Sequence, residues 1–348
     1  MRYKLLGKSG IRVSELCLGT MTFGEEWGAM GADKSTSEKV YRVYREAGGN
    51  FIDTANKYTA GTSETFLGEF MGGEREEIVL ATKFTGTMDE SNPNSGGNAR
   101  KAMARCVEDS LRRLRTDYID LLWVHAWDFT VAPNELMRAL DDLVRAGKVL
   151  TVGISDAPAW IVAQCNTLAE LRGWSPFIGL QIEYSLAERT VERELVPMAE
   201  AFDLAITPWS PLAGGLLTGK YRKNQSPKEG RQREVSDAQL EIAEALVEVA
   251  ESLGATPAQT ALAWLRQRPV KVPVIPIIGA RQPGQLEDSL KAADLRVPPE
   301  ALKKLDQCSA VRLGFPHEFL RTAQPQQFIY GPFLSRIDDH HGRLPSPG

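Results

Sequence analysis

The 348-residue chain has little of what builds metal centres or disulfide frameworks: four cysteines and four histidines. Cys17, Cys106, Cys165 and Cys308 form no C-x-x-C pair, and they are too sparse for a disulfide scaffold or a zinc site. His340 and His341 fall in a polar tail, so no metal is expected. The N-terminal stretch Met1–Leu16 lacks the apolar core of a signal peptide. No window is long and apolar enough to span a bilayer. A long basic run is missing too, and the formal net charge is −4. Neither nucleic acid nor an anionic membrane is therefore expected as a partner. These absences suggest a reducing, cytoplasmic setting and a small-molecule partner. Oligomeric state is left open.

What is present looks like an ordinary globular protein, with 43% hydrophobic and 25% charged residues. Arg2–Leu6 and Ile11–Leu16 flank Gly7-Lys8-Ser9-Gly10, a hairpin signal. Short apolar runs then alternate with helical patterns. The expected strands are Cys17–Gly19, Phe51–Asp53, Ile78–Thr82, Tyr118–Val124, Val149–Ile154, Gly179–Ile182, Ala205–Trp209 and Val272–Ile278. Helices are expected between them, with Pro133 and Gly147 punctuating one of them. The alternation predicts an α/β fold, an eight-stranded parallel (β/α)8 TIM barrel capped by the N-terminal hairpin. One barrel domain over 1–309 is expected, followed by an irregular tail, 310–348, whose five aromatics could line the substrate pocket or pack on the barrel's side. The loop Ser210–Ser236 is long and polar, more than a plain connection needs.

The stretch FIDTANKYTAG, Phe51–Gly61, organises the chemistry. Asp53 ends one apolar strand and Tyr58 follows in its loop. VLATKF places Lys83 after the next apolar run, and YIDLLWVHAWD places His125 after the one beyond. In a closed barrel those strand ends share one rim, where such barrels do chemistry. A phenol is a weak acid, with a pKa of about 10. A nearby ammonium would lower it by favouring phenolate. Lys83 could supply that charge, Asp53 could hold Lys83, and a neutral His125 could orient a carbonyl oxygen. Taken singly, a strand-end Asp caps a helix, a Lys is solvated and a Tyr packs. Four together on successive strands argue for a site.

These motifs resemble the aldo-keto reductase superfamily along nearly the whole chain, up to about Ser309. FIDTANKY is similar to the family's Asp and Tyr motif, ATKF to its Lys motif and LLWVHAWD to its His motif. The resemblance implies reduction of aldehydes or ketones with a nicotinamide cofactor and Tyr58 as the acid; Arg281, which it places at the adenosine ribose, could grip a 2′-phosphate and so favours NADP(H) over NAD(H). It also accounts for the lack of a G-x-G-x-x-G fingerprint, because in this family the cofactor lies extended across the rim. It implies that backbone at Gly19, Thr20 and Met21 lies near the nicotinamide. Ser155 and Gln181 would bind its carboxamide, and Trp209 would stack on the ring, where relatives often carry Tyr. Ser210, Leu212, Gly214 and Lys220 would fold over the pyrophosphate. Gly279, Arg281, Gln285 and Asp288 would take the adenosine end. Two positions depart from the pattern: Asp156 stands where Asn is usual, and Ser289 where Asn is frequent. Trp27 and Trp127 lie in rim loops and suit a flat or apolar substrate, or else anchor those loops.

Three functions stay in view: a carbonyl reductase, an alcohol or sugar dehydrogenase running the same chemistry in reverse, and a nucleotide-binding regulatory subunit with little turnover.

Overall fold

The computed structural model describes residues 1–221, 235–340, 342 and 344. A two-stranded hairpin comes first, β1 (Tyr3–Leu5) and β2 (Arg12–Ser14). Eight parallel strands follow: β3 (Cys17–Gly19), β4 (Phe51–Asp53), β5 (Val79–Phe84), β6 (Ile119–Val124), β7 (Val149–Ser155), β8 (Phe177–Glu183), β9 (Ala205–Trp209) and β10 (Ile277–Gly279). They pair in the order β10-β3-β4-β5-β6-β7-β8-β9. Helices α1 (Lys34–Glu46), α2 (Thr62–Met71), α3 (Arg100–Leu114), α4 (Pro133–Arg145), α5 (Ala159–Arg172), α6 (Leu195–Phe202), α7 (Asp237–Ser252), α8 (Pro257–Arg266) and α9 (Pro283–Leu290) surround the sheet. The expected barrel and its hairpin cap are both present.

The ring closes through a segment that is not regular strand. The expected strand Val272–Ile278 is ladder only from Ile277, with a single bridge at Val274. Pro273 and Pro276 explain this, since a proline has no N–H to give a ladder. Their carbonyls still serve. Ile206 N–H donates to Pro273 O at 2.9 Å, and Cys17 N–H donates to Pro276 O at 3.0 Å.

The barrel interior is packed. Leu6, Val13, Phe51, Leu121, Trp123, Ile178 and Ile275 form one buried cluster. Gly153 and Gly179 make room for Trp123: a Cβ there would stand 2.4 and 2.8 Å from its indole. The hairpin turn seals the bottom, where Gly7 (φ +55) lies so close to Ile178 O that a Cβ would sit 2.1 Å away. Capping boxes at Ser236/Gln239 and Thr256/Gln259 start α7 and α8.

Beyond α10 (Pro299–Cys308), the tail departs from expectation. It carries two short helices, α11 (His317–Arg321) and α12 (Ala323–Tyr330). Both are too short for a periodic pattern to show in sequence. No helix among the described residues is long and apolar enough to cross a membrane.

Candidate active site

Asp53 ends β4, and its main-chain carbonyl accepts from both the N–H and the hydroxyl of Thr20, each at 3.0 Å. Lys83 lies inside β5, paired with Trp123 of β6, rather than past its end. Here the ladder outruns the apolar stretch. The Lys83 ammonium is buried and binds three groups at once. It pairs with Asp53 Oδ1, donates to Thr54 O at 3.0 Å and donates to Tyr58 OH at 3.0 Å. Gln181 Nε2 donates to the other Asp53 oxygen at 3.0 Å. A buried charge needs such partners, because desolvation is otherwise too costly.

The loop carrying Tyr58 is strained. Thr59 and Ala60 adopt φ of +44 and +53, a region β-branched residues seldom enter. Thr59 repays this with a 2.5 Å hydrogen bond from its hydroxyl to Phe23 O. Asn56 N–H donates to Lys83 O at 3.1 Å. Tyr58 is thus tied from three sides. His125, just past β6, meets it edge-on, with ring centroids 5.8 Å apart.

Electrostatics set the protonation states. Burial raises the Tyr58 pKa above the ordinary phenol value, and the Lys83 charge opposes this without overcoming it. The expected net lowering is therefore not found, and the phenol keeps its proton near neutrality. Lys83 is raised: burial disfavours its charge, but Asp53 and Tyr58 together outweigh that. His125 is pushed down to about 3 by burial and then by the Lys83 charge, so its ring is neutral.

The loop after β3 leans over this quartet. Trp27 is half-buried and packs edge-on against Tyr58, at 6.1 Å between centroids. Thr62 holds Glu26 of the same loop. Trp127 lies differently. It is 8% exposed, packs in the main hydrophobic cluster and anchors its loop.

The remaining expected residues lie at or beyond the ends of β3 and of β7 to β10. Ser155 and Gln181 face each other in register at the ends of β7 and β8, both buried. Trp209 ends β9 and is half-buried. After it, Ser210, Ala213, Gly214 and Gly215 all have positive φ, and Ser210 Oγ accepts from Gly214 N–H at 3.1 Å. Leu212 begins that turn, packing partly against the core. The Lys220 ammonium lies over Gly215, 3.1 Å from where a Cβ would be. A turn of this kind turns successive N–H groups towards one side and suits an anion. Of the long loop Ser210–Ser236, positions 222–234 lie outside the described residues.

At the end of β10, Gly279 is exposed and pairs with Gly19, and Thr20 and Met21 continue from there. Thr20 turns its hydroxyl inward to Ser63 and Asp53 O, so only its backbone serves the rim. Arg281 donates to Ala29 O at 2.7 Å, and its N–H is capped by Gln285 Oε1 at 2.9 Å. Asp288 accepts from Gln259 at 2.6 Å and from Thr256 at 3.0 Å, which ties α9 to the start of α8. An anion at this end would therefore meet Arg281 ahead of Asp288. Lys220 and Arg281 lie on the segments after β9 and β10, and both are charged donors of the kind that suits a phosphate.

One contact escaped the sequence reading. Trp209 Nε1 donates to Asp156 Oδ1 at 2.9 Å, across the end of β8. Nothing in the spacing of two residues so far apart signals it.

The aldo/keto reductase family model matches residues 15–310. Norsolorinic acid reductase of Aspergillus flavus is 39% identical, over 93% of this chain and 85% of its own length. An aryl-alcohol dehydrogenase of Pestalotiopsis microspora is 36% identical, over 99% of this chain and 95% of its own. The NADP(+) aryl-alcohol dehydrogenase of Phanerodontia chrysosporium is 37% identical, over 88% and 86%. Family and relatives together make the protein an oxidoreductase that acts on small molecules with a nicotinamide cofactor, and the chain belongs to the aldo/keto reductase family.

Proposed function

We propose that the protein reduces aldehydes or ketones to alcohols with NADPH, and that Tyr58 is the general acid. The observation that carries this reading is the Lys83 ammonium, bound at once to Asp53 and to Tyr58 OH. A bound nicotinamide would supply hydride to the carbonyl carbon. Tyr58 enters the reaction protonated, as an acid must. Its phenolate, once formed, would sit 3.0 Å from a cation whose own proton is secured by Asp53. Neutral His125 would donate to the carbonyl oxygen and fix its direction. Positioned acid catalysis of this kind contributes about 10²–10⁴ in rate.

Trp27, packed on Tyr58, favours a flat or apolar carbonyl compound. The aryl alcohols in the relatives' names point the same way. Those names equally support alcohol oxidation with NADP as the cellular direction, since one catalyst serves both. In our reading the barrel over 1–309 is one domain. The tail packs beside the segment between β8 and α6, where Arg312 O accepts from Arg193 and His317 meets Glu194. The test is turnover of NADPH with a panel of aryl aldehydes, aryl ketones and aliphatic ketones. No consumption of NADPH with any of them, and none of NADP with the matching alcohols, would overturn the reading.

A further inference from the structure

Asp156 and Trp209 occupy two rim positions that nothing in the acid–base quartet requires. Asp156 follows β7 with φ +45, a left-handed conformation that a short polar side chain tolerates better than most. Its backbone is fixed on both sides. Its N–H donates to Gln181 O at 3.3 Å, and its carbonyl accepts from Trp127 N–H at 3.2 Å. The carboxylate therefore leaves the rim in one set direction, although the residue is exposed. Trp209 ends β9 and pairs in register with Glu183 of β8. Two inter-strand spacings, roughly 10 Å, separate β7 from β9. A carboxylate on one strand and an indole on the other span that gap, and the indole N–H reaches Asp156 Oδ1 at 2.9 Å. A phenylalanine ring at 209 has no N–H to give.

We propose that Asp156 is a positioning residue for Trp209: its carboxylate holds the indole edge so that the ring presents a fixed face to the nicotinamide. The inference rests on the cofactor reading above. A half-exposed aromatic otherwise exchanges rotamers on the nanosecond scale, and a ligand that stacks on it must first immobilise it. The hydrogen bond uses the edge of the indole and leaves both faces for packing. A charged acceptor makes the bond stronger than a neutral one would, with solvent exposure tempering the gain. The two residues are therefore a matched pair, each of limited use without the other.

The test uses the full chain and two readouts. The first needs no cofactor. Indole N–H resonances of the free protein are recorded by NMR, and the Trp209 signal is assigned as the one lost in Trp209→Phe. It should move on Asp156→Ala and return close to its original position in Asp156→Asn, which keeps an acceptor oxygen. The second is the NADPH dissociation constant by calorimetry. Asp156→Ala and Trp209→Phe should each raise it about three- to tenfold, the worth of one hydrogen bond. The double variant should be no worse than the weaker-binding single one, and Asp156→Asn should recover to within about threefold of wild type. An indole signal unmoved by Asp156→Ala, or losses that add in the double variant, would overturn the pair. A wild-type protein that binds no nicotinamide nucleotide would overturn the cofactor reading instead, and calorimetry of wild type alone distinguishes the two.

Discussion

The two halves of the rim are built on different physical terms. On β4, β5 and β6, the ion pair that supports the half-buried Tyr58 and His125 is fully shielded. Asp53 and Lys83 are 2% and 1% exposed, and each spends its bonds on the other members of the site. Ser155 and Gln181 on β7 and β8 are buried too, but the side chains at and after the ends of β9 and β10 that would hold a cofactor are more open. Trp209 and Arg281 are half-buried and Lys220 is exposed. Backbone strain is common to both halves, with positive φ at Thr59 and Ala60 on one and at Asp156, Ser210 and Ala213 on the other. A proton relay must be finished before the reactants arrive, so its geometry is fixed internally. A dinucleotide clasp must be completed by its ligand, so it keeps donors in reserve.

The largest effect should come from breaking the closed half at its acid. Tyr58→Phe removes one oxygen and leaves Lys83 bound to Asp53 and Thr54 O. Turnover should fall by about 10²–10⁴ while the NADPH dissociation constant stays within a few-fold. Steady-state rates on one ketone, with calorimetry alongside, check both parts. A variant with near-normal rates would mean that another group is the acid.

Lys83→Met tests whether the same half also carries stability. The charge is buried, so its loss leaves Asp53 without its cation. Breaking a buried pair in this way costs about 3–5 kcal/mol. Activity should vanish, and the denaturant midpoint should drop. Lys220→Met, on the open half, should leave the midpoint nearly unmoved, since that ammonium is exposed. Equal shifts for the two lysines would erase the contrast.

The closed half was also the more legible in sequence. Asp53, Tyr58, Lys83 and His125 each follow an apolar run, and the fold brings successive strand ends together. The expected strands nevertheless end just before polar residues that the ladder includes. β5 continues through Lys83, β7 through Ser155 and β8 through Glu183, because inside a barrel a polar side chain can still occupy a ladder position. The opposite error occurred at Val272–Ile278, where apolar residues hid two prolines that cannot donate. The Asp156–Trp209 bond could not be read at all, since it depends on two strand ends with β8 between them. The direction of the Tyr58 shift was equally hidden. It depends on how much water the phenol loses, and only the packed site fixes that.

The open half should fail more gently. Arg281 donates to Ala29 O, so its guanidinium is held at the rim and still has donors for an anion. If those donors read a 2′-phosphate, Arg281→Ala should weaken NADPH about ten- to a hundredfold and leave NADH nearly unchanged. Equal losses for both cofactors would show that Arg281 does not discriminate.

The smallest effect concerns pH and belongs to the closed half alone. His125 has its folded pKa pushed down to about 3, by burial first and the Lys83 charge second, from an ordinary value near 6.5. Between those values the unfolded chain binds a proton that the folded chain refuses. Stability therefore rises with pH across that window and is lost as pH falls through 6.5 towards 3. At pH 7 the residue is neutral in both states and contributes nothing of this kind. A fully shielded group would give a slope of about 1.4 kcal/mol per pH unit, and partial exposure of the ring makes the slope shallower. Melting temperatures measured from pH 7 to pH 5 should fall less steeply in His125→Gln than in wild type. Arg281→Ala, on the other half of the rim, should keep the wild-type slope. If both variants followed the wild-type curve, His125 would not be the group whose protonation opposes folding, and the neutral ring assigned to it near Tyr58 would lose its support.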